Sequence, residues 1–297
     1  MAFMRTRTRL TVRRATAAKR ARRPTVQPSP IVKWAGGKTK LLSKLTTLMP
    51  ATYRRYYEPF IGGGAMFFHL APQSAVINDR NPDLINMYRC VAYNVEAVIK
   101  RLLEHREAHC ENYFYAMRSH WNDRSTPRSE VERAAAFIYL NKTCFNGLWR
   151  VNSKGMFNVP VGRYESPQIF DPAVLRAASG VLQQTELSIG NFADACESAS
   201  AGDFLYFDPP YQPVSTTANF VSYTKDAFDE DNQRELAALA RSLAKRNCAV
   251  MLSNSDTPFI RKLYKGFRLN KLNVARAINS KASKRGSVPE LIICSDY

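Results

Sequence analysis

The chain has 297 residues, 45% hydrophobic and 23% charged, with a formal net charge of +18, which suits one large α/β domain with a smaller inserted or appended unit. No apolar run approaches the ~20 residues that span a bilayer and no apolar core of a signal peptide is visible, so the expectation is a cytoplasmic protein without a membrane partner. Six scattered cysteines (Cys90, Cys110, Cys144, Cys196, Cys248 and Cys294) contain no C-x-x-C pair, which argues for reduced thiols and against a disulfide framework or a zinc ribbon.

Residues 1–30 carry nine Arg or Lys, no acidic residue, and a closing Pro24, Pro28 and Pro30. They read as a disordered basic arm; an organelle transit peptide and a misplaced start codon fit the same composition. The remaining chain still carries +9. Its basic character points to a polyanion partner, most simply nucleic acid.

Lys33-Trp34-Ala35-Gly36-Gly37-Lys38 precedes an apolar run with Leu41, Leu42, Leu45 and Leu48. Its glycines make a tight turn before a helix, where backbone N–H groups can face an anion. Gly37-Lys38-Thr39 imitates the end of a P-loop, but that motif needs glycine where this chain has Val32, so a nucleotide triphosphatase is rejected. Tyr57-Glu58-Pro59-Phe60-Ile61-Gly62-Gly63-Gly64 then leads into a helical run, and Ala75-Val76-Ile77-Asn78-Asp79 is a short strand ending in a carboxylate. Glycine turn, helix, strand and acidic tip are the order of a Rossmann-like unit, whose glycines let a ligand approach and whose acid accepts ribose hydroxyls.

Residues 85–130 are charged and helical in tendency. His105, His109 and Cys110 suggest a metal site, but no partner ligands stand at metal spacing, and a solvated helix face is the preferred reading. Ser129-Glu130-Val131-Glu132 is a capping box that opens a helix through Ala135, Ile138 and Tyr139. After Asn141–Gly147, Leu148–Gly155 reads as a hairpin with a Lys-Gly tip. Lys142, Arg150, Lys154 and Arg163 interleave there with Phe145, Trp149, Phe157 and Tyr164. Cations among aromatics suit phosphate contact plus base stacking; a half-buried hairpin whose aromatics are core fits equally well.

Leu187–Ile189 is a strand with Asn191-Phe192-Ala193-Asp194 at its tip. Phe204-Leu205-Tyr206-Phe207 is a buried strand that runs into Asp208-Pro209-Pro210-Tyr211. The two prolines fix φ and offer no N–H, so the strand stops there, at the end where open α/β sheets bind ligands. This loop suits a flat ring bearing an exocyclic amine. Asp208 and the Pro209 carbonyl can accept the two N–H bonds, and Tyr211 can stack on the ring face. Pro213–Phe220 is a polar loop over that site. Asp229 caps a helix with Leu236, Leu239, Ala240 and Leu243 on one face. Val250–Asn254 is another strand, Arg276–Arg285 a basic loop, and Leu291–Cys294 a strand that closes the sheet.

These stretches resemble the Dam-type DNA adenine-N6 methyltransferases, in which the glycine motif comes first, the recognition region next and the catalytic tetrapeptide last. The matching residues are Lys33–Lys38, Glu58–Gly64, Asn78–Asn81, Leu140–Leu148, Phe157–Pro160 and Asp208–Tyr211, and the likeness covers about residues 31–297. It implies a Rossmann-like catalytic domain (31–84 and 180–297) interrupted by a mainly helical recognition domain with a β-hairpin (85–179). It further implies S-adenosylmethionine as cofactor, no metal, and a monomer acting on double-stranded DNA by base flipping. Trp34, Lys38, Glu58, Phe60, Gly62, Asp79 and Asp208 would line the cofactor site, with Phe192 and Asp194 beside its adenine. Asp208, Pro209 and Tyr211 would hold the target adenine. Arg150 aligns with an arginine that reads a guanine edge, Leu148 with a residue near a thymine methyl, and Phe145 with a wedging aromatic. Lys33, Lys142, Asn146, Pro160 and Arg163 complete the expected DNA surface, and the implied target is 5′-GATC. Lys142 and Phe145 replace an arginine and a tyrosine found in members of the family, so the wedge keeps its ring and loses its hydroxyl. Cytosine N4, RNA, a protein glutamine, or a non-catalytic DNA-binding role are the alternatives.

Overall fold

The computed structural model describes residues 26–213, 228–275 and 287–297. Most of the basic arm, the loop beyond Pro213 and the Arg276–Arg285 loop lie outside these residues.

After a 3-10 turn at Thr39–Leu41 come α1 (Leu42–Thr46), β1 (Tyr56–Glu58), α2 (Ala65–Leu70) and β2 (Ala75–Asp79). Three helices follow: α3 (Pro82–Glu107), α4 (Glu111–Asn122) and α5 (Glu130–Thr143). The chain then runs through α6 (Pro172–Leu182), β3 (Thr185–Ile189), β4 (Phe204–Phe207), α7 (Glu230–Lys245) and β5 (Ala249–Ser255). It ends with α8 (Pro258–Leu263), β6 (Arg268–Ala275) and β7 (Ser287–Cys294). All seven strands form one sheet in the order β3-β2-β1-β4-β5-β7-β6. The first five are parallel, and β7 is antiparallel to both β5 and β6. Leu291–Cys294 therefore does not close the sheet: β7 inserts inside it, and β6, which the sequence reading did not mark, forms the edge.

The alternation of strand side chains splits the core in two. Tyr56, Ile77, Phe204, Tyr206, Met251 and Ile292 face one side, where α2, α3, α5 and α6 pack. Tyr57, Val76, Leu205, Phe207, Val250, Leu252 and Ile293 face the other, against Leu236, Ala240 and Leu243 of α7 and Ile260 of α8. Both faces are covered, which is why β4 and β5 read as unbroken buried runs.

The helices begin where their caps dictate. Ser129 and Glu132 form the expected capping box, and Asp229 with Asn232 forms a second one at α7. Asn81 caps α3 by accepting from the N–H groups of Asp83 and Leu84, and α3 breaks at Asn94, whose φ/ψ of −135°/33° is non-helical. The expected junctions at 84/85 and 179/180 fall within α3 and α6, and the first core runs on without a gap through α4 and α5 to Phe157 and Val159. His105 and His109 do not lie on a solvated face. They are partly buried, with Nδ1 of each at 2.7 and 2.8 Å from the hydroxyls of Tyr113 and Tyr139.

Candidate active site

Asp208 begins the loop that leaves β4. Its carboxylate meets Lys38 Nζ at 2.9 Å, with side-chain exposures of 19% and 7%. Lys38 also donates to Gly36 O at 2.7 Å and lies 4.8 Å from the centre of the Tyr211 ring. Burial raises the Asp208 pKa, Lys38 opposes that, and the charge of Glu290 adds to it. Coupled this closely, either member alone would leave a charge poorly solvated, a loss of ~3–5 kcal/mol. Tyr211 donates its hydroxyl to Glu290 Oε2 at 3.0 Å, so a residue of β7 sets the tilt of the ring. The Pro209 carbonyl makes no hydrogen bond among the described residues.

Two more carboxylates stand at the same ends of the neighbouring parallel strands. Glu58 ends β1, is buried, and accepts from Tyr56 Oη at 2.7 Å. Burial pushes its pKa up to about 8, against the Tyr56 hydrogen bond and with help from the Asp208 charge. Asp79 ends β2. It accepts from Gly62 N at 3.1 Å and from Asn81 N at 2.9 Å, and burial raises its pKa in spite of both. Gly62 and Gly64 hold φ of 47° and 70°. The room left by the missing side chains is taken by the protein itself: a Cβ on Gly62 would lie 2.7 Å from Trp34 Cδ1, and one on Gly63 3.1 Å from Trp34 Cβ. The expected close approach at the glycine turn is therefore made first by Trp34, which ties the Lys33–Lys38 segment to the tip of β1. Phe192 is buried and stacks on Phe60 at 5.2 Å, while Asp194 is exposed at the rim.

The residues expected at DNA fall into two groups. Phe145, Asn146, Leu148, Arg150, Pro160 and Arg163 are all exposed along the ribbon after α5, with Phe145 at 48%. The ribbon is pinned by antiparallel bridges Cys144–Val161 and Val151–Phe157 and by Phe145 N donating to Pro160 O at 2.9 Å. Arg150 Nε donates to Asn158 Oδ1 at 3.0 Å. Lys33 joins this group: its N–H donates to Asn141 Oδ1 at 2.8 Å, and Asn141 Nδ2 returns bonds to Lys33 O and Gly147 O. Lys142 does not. It turns into a cavity of about 200 Å³ with Pro30, Phe170, Asp171 and Leu175, and burial lowers its pKa. The aromatics divide as well. Trp149 stacks on Phe157 at 4.5 Å and meets Phe137 at 4.1 Å, so these rings are core, and Phe145 is the ring left exposed.

Glu290 and Tyr56 were not marked by the sequence reading. Each pairs with a site residue, Glu290 from 79 positions away, and a lone acid in an apolar strand is a weak signal. Among the described residues no group of His, Cys, Asp and Glu is placed to hold a metal ion, and no helix is long and apolar enough to cross a membrane. A rim of acids beside an aromatic stack has the hydrogen-bond acceptors, the ring faces and the negative charge that a ligand with ribose hydroxyls, a purine and a positive charge requires, so S-adenosylmethionine fits these residues.

Residues 34–278 match the family described as D12 class N6 adenine-specific DNA methyltransferase. The chain is 45% identical over 267 residues to the type II methyltransferase M1.LlaDCHI of Lactococcus lactis subsp. cremoris, covering 89% of this chain and 94% of that protein. It is 41% identical over 286 residues to the type II methyltransferase M.MjaIII of Methanocaldococcus jannaschii, covering 90% and 99%. With the DNA adenine methylase of Haemophilus influenzae it shares 36% identity over 278 residues, covering 92% and 96%. Acid-rimmed sheet, basic ribbon and these likenesses agree: the chain belongs to the D12 class of DNA adenine-N6 methyltransferases, S-adenosylmethionine-dependent enzymes of the Dam type.

Proposed function

We propose that this enzyme methylates adenine within 5′-GATC in double-stranded DNA, as a monomer in the cytoplasm, after turning the base out of the helix into the Asp208–Tyr211 loop. A duplex hides the adenine amine, so the base must leave the stack to be reached. The observation that carries the reading is the pairing of a Lys38-held carboxylate with a Pro209 carbonyl that makes no hydrogen bond among the described residues. Asp208 and Pro209 accept the two N–H bonds of the amine and favour a geometry that localises its lone pair; Tyr211 supports the ring face. Bound S-adenosylmethionine supplies a methyl group already activated by its sulfonium. Asp79 accepts its hydroxyls, Phe60, Phe192 and Asp194 flank its adenine, and Trp34, Lys38, Glu58 and Gly62 complete the wall.

In the 85–179 region, taken here as the recognition unit, Phe145 wedges into the opened step, Leu148 meets a thymine methyl and Arg150 reads a guanine edge. Asn146, Pro160, Arg163 and Lys33 line the same ribbon. Lys142, turned into its cavity, contributes charge and no direct contact.

The test is transfer of labelled methyl to two duplexes that differ only in an intact or scrambled GATC, with Asp208→Ala alongside. The expected result is label in the intact duplex alone, lost in the variant while DNA binding stays within several-fold. Equal label in both duplexes would overturn the GATC reading, and near-normal turnover by Asp208→Ala would overturn the role of the loop.

A further inference from the structure

Two buried amides grip the Asp208–Tyr211 loop from behind. Gln233, in the first turn of α7, donates Nε2–H to Pro210 O at 2.9 Å. Its own Oε1 accepts from Asn254 Nδ2 at 3.0 Å. Asn254 Oδ1 then accepts from Gln212 N at 3.1 Å and from Ser255 N at 2.8 Å. Ser255 Oγ closes the ring by donating to Gln212 O at 2.6 Å. Gln233 and Asn254 have no solvent exposure. The order of donors and acceptors is fixed: turning Gln233 over would set like atoms against each other at two contacts, and turning Asn254 over at three. The peptide groups on both sides of Tyr211 are thereby held, one through Pro210 O and the other through Gln212 N, and Gln212 O anchors the peptide after them.

We infer that Gln233 and Asn254 are positioning residues for methyl transfer. This rests on the reading of the loop as the adenine seat. By taking up the Pro210 carbonyl and the Gln212 peptide, they leave the Pro209 carbonyl and the Asp208 carboxylate as the acceptors turned to the amine. A buried polar network that cost its desolvation without shaping the loop would gain nothing over an apolar contact. Lys38 and Glu290 hold the other side through Asp208 and Tyr211. The loop is thus clamped between β5, β7, α7 and the Lys33–Lys38 segment.

The test measures kcat and KM for wild type, Gln233→Leu, Gln233→Glu, Asp208→Ala and Asn232→Ala. Asn232 belongs to the same helix cap and lies outside the clamp. Gln233→Leu removes the donor and is expected to lower kcat about 10–100-fold, as small displacements of a reacting geometry do, with both KM values within about threefold. Asn232→Ala is expected to lower the melting temperature and leave kcat unchanged. Gln233→Glu supplies the finer readout. Its protonated carboxyl can donate to Pro210 O and its ionised form cannot, so kcat of this variant alone should fall with rising pH. The charged and titratable groups around the loop, Lys38, Glu58, Asp208, Tyr206, Tyr211 and Glu290, are common to all the Gln233 variants and cancel in the comparison. If Gln233→Leu does not fold, the pH profile of Gln233→Glu decides alone. A kcat for Gln233→Leu within twofold of wild type, or a Gln233→Glu profile parallel to wild type, would overturn the clamp. An active Asp208→Ala would instead overturn the adenine seat, and the clamp with it.

Discussion

Glu58→Gln should flatten the dependence of stability on pH. In the folded chain Glu58 is sealed at the end of β1 with Tyr56 Oη as its side-chain partner among the described residues, and its pKa rises from 4.5 to about 8. In the unfolded chain the carboxyl titrates at its ordinary value. Between the two the folded state binds one more proton than the unfolded state. The stabilisation is complete below the unfolded pKa and is lost as pH rises through the folded one. At 1.36 kcal/mol per pH unit, the span from 4.5 to about 8 amounts to on the order of 5 kcal/mol, of which on the order of 4 kcal/mol falls above pH 5. That is a large part of the ~5–15 kcal/mol that holds a domain together. The assay is denaturant unfolding of both proteins, without cofactor, at steps from about pH 5 to pH 9. The wild-type curve contains every titrating group, but its difference from Glu58→Gln isolates this one. The expected difference moves in favour of the variant by on the order of 4 kcal/mol from acid to base, and the movement should shrink when Asp208→Asn removes the neighbouring charge. A difference that stays level with pH would refute the buried proton.

Gly62→Ala is expected to cost ~1–3 kcal/mol, because its Cβ would sit 2.7 Å from Trp34 Cδ1 at a φ of 47°; thermal melting would show the loss and calorimetry a parallel loss of S-adenosylmethionine affinity, and an unchanged melt would contradict the Trp34 packing. Arg150→Ala is expected to relax selection at the outer base pair by ~1–3 kcal/mol in competition between single-base-changed duplexes. Equal weakening of all duplexes would make Arg150 a phosphate contact.

Local signals carried the parts of the fold that depend on local physics. Ala75–Asp79 and Phe204–Phe207 are strands as read, because a short apolar run ending in a polar tip has few other stable forms inside a sheet. The capping box at Ser129 and the Asp229 cap start their helices as read, since a cap acts within four residues. What failed to show depends on distant partners. The sequence marks His105 and His109 as polar, but their place among Tyr113 and Tyr139 comes from the packing of α3 against α4 and α5. Trp149 and Phe145 look alike in sequence; the wall formed by Trp121, Phe137 and Phe157 half-buries one and leaves the other outside. The glycine turn was legible as a tight turn, whereas its immediate neighbour, the Trp34 indole, was not.

The three acids at the strand ends would repel one another if each were simply ionised, and the fold deals with each differently. Glu58 is kept neutral at moderate pH by burial. Asp79 is satisfied by the N–H groups of Gly62 and Asn81. Asp208 has the full cation of Lys38. The difference follows from position. Glu58 lies deepest, between Tyr56 and α2, where a charge would have no water. Asp79 stands beside two backbone turns that already point N–H groups outward. Asp208 stands where the loop opens, so its partner has to come from another segment, and Trp34 on Gly62 and Gly63 brings that segment in. The charge of Asp208 therefore depends on a packing contact between an indole and two glycines. Lys38 in turn leans over Tyr211, so the same contact sets the acceptor and bears on the ring beside it. A lesion at Gly62 should thus reach the seat proposed for adenine as well as the cofactor wall, although no atom of Gly62 touches the Asp208–Tyr211 loop in the hydrogen-bond network described for it.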